Sequence, residues 1–271
     1  MPPSAVPPEL TFPDQLERVR LSLRAQHAAL AAVARLFANA LGEGGVVHVY
    51  ANGHSRIAVE ELCIRIGALT GFHPLLQAGL VTFVDVVGPN GIRLNQTIEK
   101  VEGLGRQLLA EVDVGPHEPL LAISATGQTT AAVDAALAWR QMHPRNPLVL
   151  LCCREQARQG APKHSSGKTF WHIAEDSPDT VHLLDNGMPM GDTTVTVAGG
   201  TGTYPLCPLS SIGALSVIQS LNELTLRELD FRGIRHPVLR NMHVADTRDT
   251  YDAWIRDQRR RYSQALHRAT P

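Results

Sequence analysis

Two stretches of this chain share one grammar: an apolar strand stops at a turn of glycine and hydroxyl residues and passes at once into a helix. The first runs from Val46 to Arg56 and the second from Leu120 to Thr130. Repeating that unit implies parallel strand pairing with helices on both faces of the sheet. In the second stretch Leu120-Leu121-Ala122-Ile123 reads as a buried strand, and Ser124-Ala125-Thr126-Gly127-Gln128-Thr129-Thr130 leads into the Ala-rich segment Ala131 to Arg140. Hydroxyls at Ser124, Thr126 and Thr129 are spaced to donate to an anion. Gly127 lets the backbone come close, and the free N–H groups of the following helix point at the same spot. This is phosphate-cradle chemistry, without the Gly-Lys-Ser/Thr of a nucleotide-binding loop. The first stretch has the same build, with Val46 to Ala51 as strand, Asn52-Gly53-His54-Ser55 as turn and Ile57 to Ile66 as helix.

The same alternation organises the rest. Leu80 to Val87, with an acidic Asp85, reads as the second strand, followed by a helix over Ile98 to Glu111. Leu120 to Ser124 is the third strand, followed by a helix over Ala131 to Met142. Leu148 to Cys153 and Val181 to Leu184 are the fourth and fifth strands. The expected fold is α/β, a three-layer αβα sandwich around a doubly wound, mostly parallel five-stranded sheet of flavodoxin-like type.

Ahead of it, Leu16, Val19, Leu23, Leu30, Val33, Leu36 and Phe37 form a helical stripe within Phe12 to Leu41. This is one long helix or two joined near Gln26-His27. Residues 1–11 read as a disordered Pro-rich leader, 12–42 as a helical segment free to pack on another subunit, 43–245 as the sheet domain and 246–271 as a solvated charged helix. Residues 154–170 and 185–208 read as irregular.

Composition narrows the partners. Over 271 residues the formal net charge is -1, which supplies no attraction for nucleic acid or an anionic membrane. The N-terminus lacks the basic and apolar regions of a signal peptide, and no run reaches the length of a membrane span, so the expected location is the cytoplasm. The four cysteines show no Cys-x-x-Cys pairing and the twelve histidines no metal-type spacing, so neither a metal nor a cofactor is expected.

The two turns resemble the fingerprints of the sugar isomerase (SIS) domain, a strand ending in Gly-x-Gly-x-Ser and a strand ending in Ser-x-Ser-Gly-x-Thr. Here Ala51 replaces the first glycine and Thr126 the second serine, which keeps a small residue and a hydroxyl. Gly53-His54-Ser55 with Glu60-Glu61, Val101-Glu102-Gly103, His164-Ser165-Ser166-Gly167-Lys168, and Asp185-Asn186-Gly187 with Gly191-Asp192 are similar to a bacterial branch of sugar isomerase domain-containing proteins.

The resemblance implies a sugar phosphate as ligand, assembly into a homodimer or larger homo-oligomer, and aldose–ketose isomerisation through an enediol. Its alternatives are an etherase-type lyase acting on an amino-sugar phosphate and a non-catalytic sugar-phosphate sensor. Ser55, Ser124, Thr126, Gly127 and Thr129 are the expected phosphate-binding residues.

Proton transfer between adjacent carbons needs a carboxylate or imidazole, which nominates Glu60, Glu102 and His54. Glu61 has an ion-pair partner in Arg65 four residues on, whereas Glu60 has no evident one. Glu102 is similar to a Glu-Gly of the N-acetylmuramic acid phosphate etherases. Asn52, His164, Ser165, Ser166 and Lys168 are the candidate substrate or lid residues, and His48, alternating with valines, reads as core.

Overall fold

The computed structural model describes residues 9–77, 92–241 and 248–267. Its sheet holds five parallel strands, β1 (Val47–Ala51), β2 (Phe72–Leu75), β3 (Leu120–Ile123), β4 (Leu148–Cys152) and β5 (Val181–Asp185), in the order β2-β1-β3-β4-β5. Register pairs Val49 with Leu121 across β1 and β3, and Leu121 with Val149 across β3 and β4. Every residue of β1, β3 and β4 is buried, as a sheet covered on both faces requires.

Alternation along these strands divides the core into two layers. Val47, Val49, Leu121, Ile123 and Leu151 pack under helices α2 (His27–Gly42), α3 (Arg56–Cys63) and α9 (Ser210–Phe231). Tyr50, Leu120, Ala122 and Leu150 pack on the other face under α5 (Leu104–Ala110), α6 (Thr130–Met142) and α8 (Phe170–Asp176). The expected three-layer sandwich is present.

Several boundaries differ from expectation for identifiable reasons. The expected strand over residues 80–87 lies outside the described residues, as do residues 1–8 of the leader. Among the described residues the fifth strand of the sheet is β2, which has a strand partner on one side only, so Pro74 is tolerated there.

The N-terminal helix is two, α1 (Phe12–Ala25) and α2, broken at Gln26. The Gln26 side chain clasps the end of β5, accepting from Asp185 N–H at 2.9 Å and donating to Asp185 O at 2.6 Å. The stripe expected to face another subunit is mostly spent at home, since Leu30, Val33, Phe37 and Leu41 lie in the main core. Leu16 and Leu21 of α1 stay exposed.

The expected helix over 98–111 is shortened to α5, with a separate helix α4 (Ile92–Ile98) before it and Gly103, at a φ of +91°, in the turn between them. The first residues of 154–170 form a short helix, α7 (Arg154–Gln159).

Residues within 185–208, read as irregular for their glycines and prolines, include an antiparallel hairpin of β6 (Thr193–Gly199) and β7 (Gly202–Pro208). Its β-branched run Thr193 to Val197 was the overlooked signal.

The charged tail forms α10 (Arg248–Leu266) but is not a solvated helix. Its Gln258 accepts from Gly71 N–H at 2.7 Å, Tyr262 donates to Phe72 O at 2.5 Å, and Trp254 is buried. These side chains satisfy backbone groups along the β2 edge that would otherwise invite another strand. Among the described residues no helix is long and apolar enough to cross a membrane.

Candidate functional site

Strand order reverses between β1 and β3, so the chain leaves these two neighbours in opposite directions and opens a crevice beyond their carboxyl ends. Both cradle turns lie there. After β1, Gly53 adopts a φ of +57° and starts a short 3₁₀ turn through Ser55, which passes into α3. After β3, Gly127 adopts a φ of +67°, and a Cβ at that position would approach Cys152 Sγ to 2.9 Å. A glycine is needed on both counts.

The hydroxyls here have two kinds of employment. Ser124 Oγ accepts from Gly127 N–H at 3.1 Å and Thr126 Oγ1 from Gln128 N–H at 3.3 Å, so both shape the turn while keeping a proton to donate. Ser55 and Thr129 occupy the N-cap positions of α3 and α6, yet neither side chain bonds its own helix. Capping, the ordinary reason for a hydroxyl at such a position, does not account for them.

A third helix joins from far along the sequence. Asp192 accepts from the N–H groups of Leu209 and Ser210 at 2.9 and 2.7 Å and from Ser210 Oγ at 2.7 Å, which caps α9 and turns Ser210 and Ser211 toward the same space.

The resulting cleft holds about 490 Å³, comparable to small-molecule sites. Its lining includes Asn52, His54, Ser55, Ser124, Thr126 and Thr129 from the expected set, together with Asn95, Gln96, Glu99, Asp192, Ser210 and Ser211. Three helix N-termini therefore face one volume. Among the described lining residues none is a lysine or arginine, so helix N–H groups, hydroxyls, side-chain amides and the His54 ring are the available donors.

The remaining expected residues lie elsewhere. Glu60 sits on α3 with its side chain 54% exposed and ion-paired to Arg56 at 2.5 Å; this partner, four residues earlier on the same helix, went unnoticed in the sequence. Glu102 is committed to the loop after α7: Ser165 donates to it from its N–H at 2.6 Å and from its hydroxyl at 2.5 Å, and these bonds hold its carboxyl below the ordinary range.

His164 packs beside it, with Nδ1 accepting from Ser166 N–H at 3.0 Å and Nε2 facing Asp134 Oδ1 at 3.6 Å and Glu102 Oε2 at 3.8 Å. Lys168 pairs with Asp176 at 2.6 Å. His164, Ser165, Ser166 and Glu102 thus form one cluster, separate from the residues that line the cleft.

Glu99 went unnoticed in the sequence. Its carboxylate lines the cleft, accepts from Asn52 Nδ2 at 3.1 Å, and is raised above the usual carboxylate range chiefly by desolvation, with Lys163, Asn52 and Lys100 opposing. Its backbone carbonyl accepts from Ala131 N–H of α6 at 2.9 Å. The available signal was its position three residues before Glu102, in the same turn between α4 and α5. The Ser210-Ser211 pair after Pro208 was a recognisable helix start without a recognisable destination.

The family model of the SIS domain matches residues 11–143, a span that includes both cradle turns. A UPF0309 protein of Halalkalibacterium halodurans is 27% identical over 227 residues, covering 84% of this chain and 87% of its own. A phosphoheptose isomerase from Francisella tularensis aligns in structure with a TM-score of 0.43 at 13% identity, over 80% of this chain and 94% of that one. The Vibrio vulnificus NanR protein complexed with ManNAc-6P aligns with a TM-score of 0.42 at 14% identity, over 91% of this chain and 68% of that one.

Proposed function

This chain carries a SIS domain, and we propose that its cleft binds a phosphorylated sugar and interconverts aldose and ketose forms through an enediol. The observation that carries this reading is the convergence of the α3, α6 and α9 N-termini on one polar volume, where Ser55 and Thr129 hold hydroxyls that their own helices do not use. An N-terminus favours an anion through its dipole and its unpaired N–H groups, and a phosphate has enough oxygens to meet several donors together. The amides of Asn52, Asn95 and Gln96 are suited to the hydroxyls of a sugar. No cofactor enters this reading.

A thermal-shift screen of sugar phosphates against the matching free sugars tests it. A ligand present at about 100 times its Kd stabilises by about 2.7 kcal/mol, and only the phosphorylated members should reach that. Equal stabilisation by free sugars overturns the phosphate anchor.

We propose also that the chain self-associates as a dimer or tetramer in the cytoplasm, through α1, which leaves Leu16 and Leu21 exposed. Sedimentation showing a monomer at micromolar concentration overturns that part.

A further inference from the structure

We propose that Glu99 is the catalytic acid–base residue of the cleft, replacing Glu60 and Glu102 in that role; the assignment rests on the phosphosugar reading above. Three carboxylates compete by sequence position, and their surroundings separate them. Glu60 points to solvent with Arg56. Glu102 has both oxygens engaged by Ser165, so it faces a loop and not a ligand. Glu99 lines the cleft itself, half-buried, with one oxygen held by the buried Asn52 amide and its backbone pinned to the first turn of α6.

The other lining carboxylate, Asp192, has both oxygens occupied at the start of α9. Orientation by a second group is what a general base requires before its pKa matters. Desolvation raises that pKa, which makes the ionised form a stronger base, while the Lys163 and Lys100 charges keep the rise in check.

The step balances without any further reactant. Ionised Glu99 takes the proton from the carbon beside the carbonyl. The C–H electron pair becomes the C=C bond of the enediol, and the displaced carbonyl π pair stays on oxygen, which takes a proton from solvent or from His54 in the same cleft. Return of the proton from Glu99 to the neighbouring carbon, with loss of the other hydroxyl proton, completes the isomerisation and restores the carboxylate.

The experiment is solvent-deuterium incorporation into whichever sugar phosphate the thermal-shift screen identifies, for wild type, Glu99→Gln, Glu99→Asp and Glu102→Gln. Exchange should fall by about 10²–10⁴-fold in Glu99→Gln with ligand-induced stabilisation preserved, and by less in Glu99→Asp, which keeps a carboxylate set back by one methylene.

A ligand-free readout accompanies it. With a raised folded pKa, stability is lost as pH rises from the unfolded value of about 4.3 through the folded one. Glu99→Gln should therefore melt above wild type at pH 7, and the gap should close below about pH 4. Undiminished exchange in Glu99→Gln, or a loss confined to Glu102→Gln, overturns the assignment and leaves the isomerase reading standing. Binding by wild type with no exchange overturns Glu99 as a base and leaves a sugar-phosphate binder. Absence of any binding sugar phosphate overturns the reading and Glu99 with it.

Discussion

The sheet bears polar groups at both ends, and the two ends differ in whether those groups are spent. At the amino ends of the strands, Glu118 accepts from Val46 N–H at 2.9 Å and Gly115 N–H at 2.7 Å and faces His48 Nε2 at 3.3 Å. His48 Nδ1 in turn meets His73 Nδ1 at 3.1 Å. One hydrogen-bond chain satisfies this geometry, with His73 donating to His48 and His48 to the carboxylate. Glu118, His48 and His73 are buried and bonded to one another, so this network specifies packing. At the carboxyl ends, Ser55 and Thr129 hold hydroxyls unused by their own helices, and N-termini converge on an open volume. Burial and polarity do not distinguish a structural cluster from a site; unspent hydrogen-bonding capacity facing a cavity does.

The largest expected effect breaks the contrast at its structural end. Glu118→Ala leaves two backbone donors and a buried histidine without their acceptor, and should cost about 3–5 kcal/mol in urea denaturation. A loss below about 1 kcal/mol would mean that water or neighbours readily replace the carboxylate.

Acid should expose the same end. Desolvation first, then the His48 ring, hold His73 down to about 4 against the opposing Glu118 charge, and burial does the same to His236. The unfolded chain protonates these groups below about 6.5 while the folded one does not, so stability is lost as pH falls from about 6.5 toward 4. For His73 alone the loss should be on the order of 3 kcal/mol. A pH–stability profile of His73→Asn that is as steep as wild type would remove His73 from this account.

At the cleft the prediction reverses. Ser55→Ala and Thr129→Ala should each weaken sugar-phosphate binding by roughly 1.5–3 kcal/mol and change stability by under about 0.5 kcal/mol, since neither hydroxyl bonds its own helix. Calorimetry paired with denaturation checks both halves; a stability loss above about 1 kcal/mol with unchanged affinity would reduce these residues to caps.

The smallest effect belongs to Lys168. Its exposed pair with Asp176 turns it away from the role of lid cation, and Lys168→Ala should shift neither stability nor affinity by more than about 0.5 kcal/mol. A tenfold loss of affinity would restore it to the site.

Strand and helix alternation, the αβα layering and both cradle turns were legible in the sequence because each rests on short-range rules. An apolar run stops, a glycine takes positive φ, hydroxyls gather, and a helix begins. The hairpin of β6 and β7 was obscured because glycine and proline were read as punctuation, although they flank a strand-forming run. The docking of α10 was obscured because charge density was read as solvation. Its arginine-rich sequence contains Trp254, Gln258 and Arg261 on a face that becomes buried.

The chain by itself therefore determined the two glycine and hydroxyl turns and the helix starts after them, since a turn and the helix after it are local to a dozen residues. Only the tertiary structure decided which carboxylate lines the cleft between those turns. Gly103 lies in the turn between α4 and α5, and Gly105 lets α5 close against α6, where any Cβ would meet Ala135 N at 2.4 Å. Glu99 and Glu102, three residues apart, then face different neighbours: Asn52 and the cleft for one, Ser165 and its loop for the other. A carboxylate's chemistry is set by what opposes it through space, and those partners lie too far along the chain for sequence spacing to reveal.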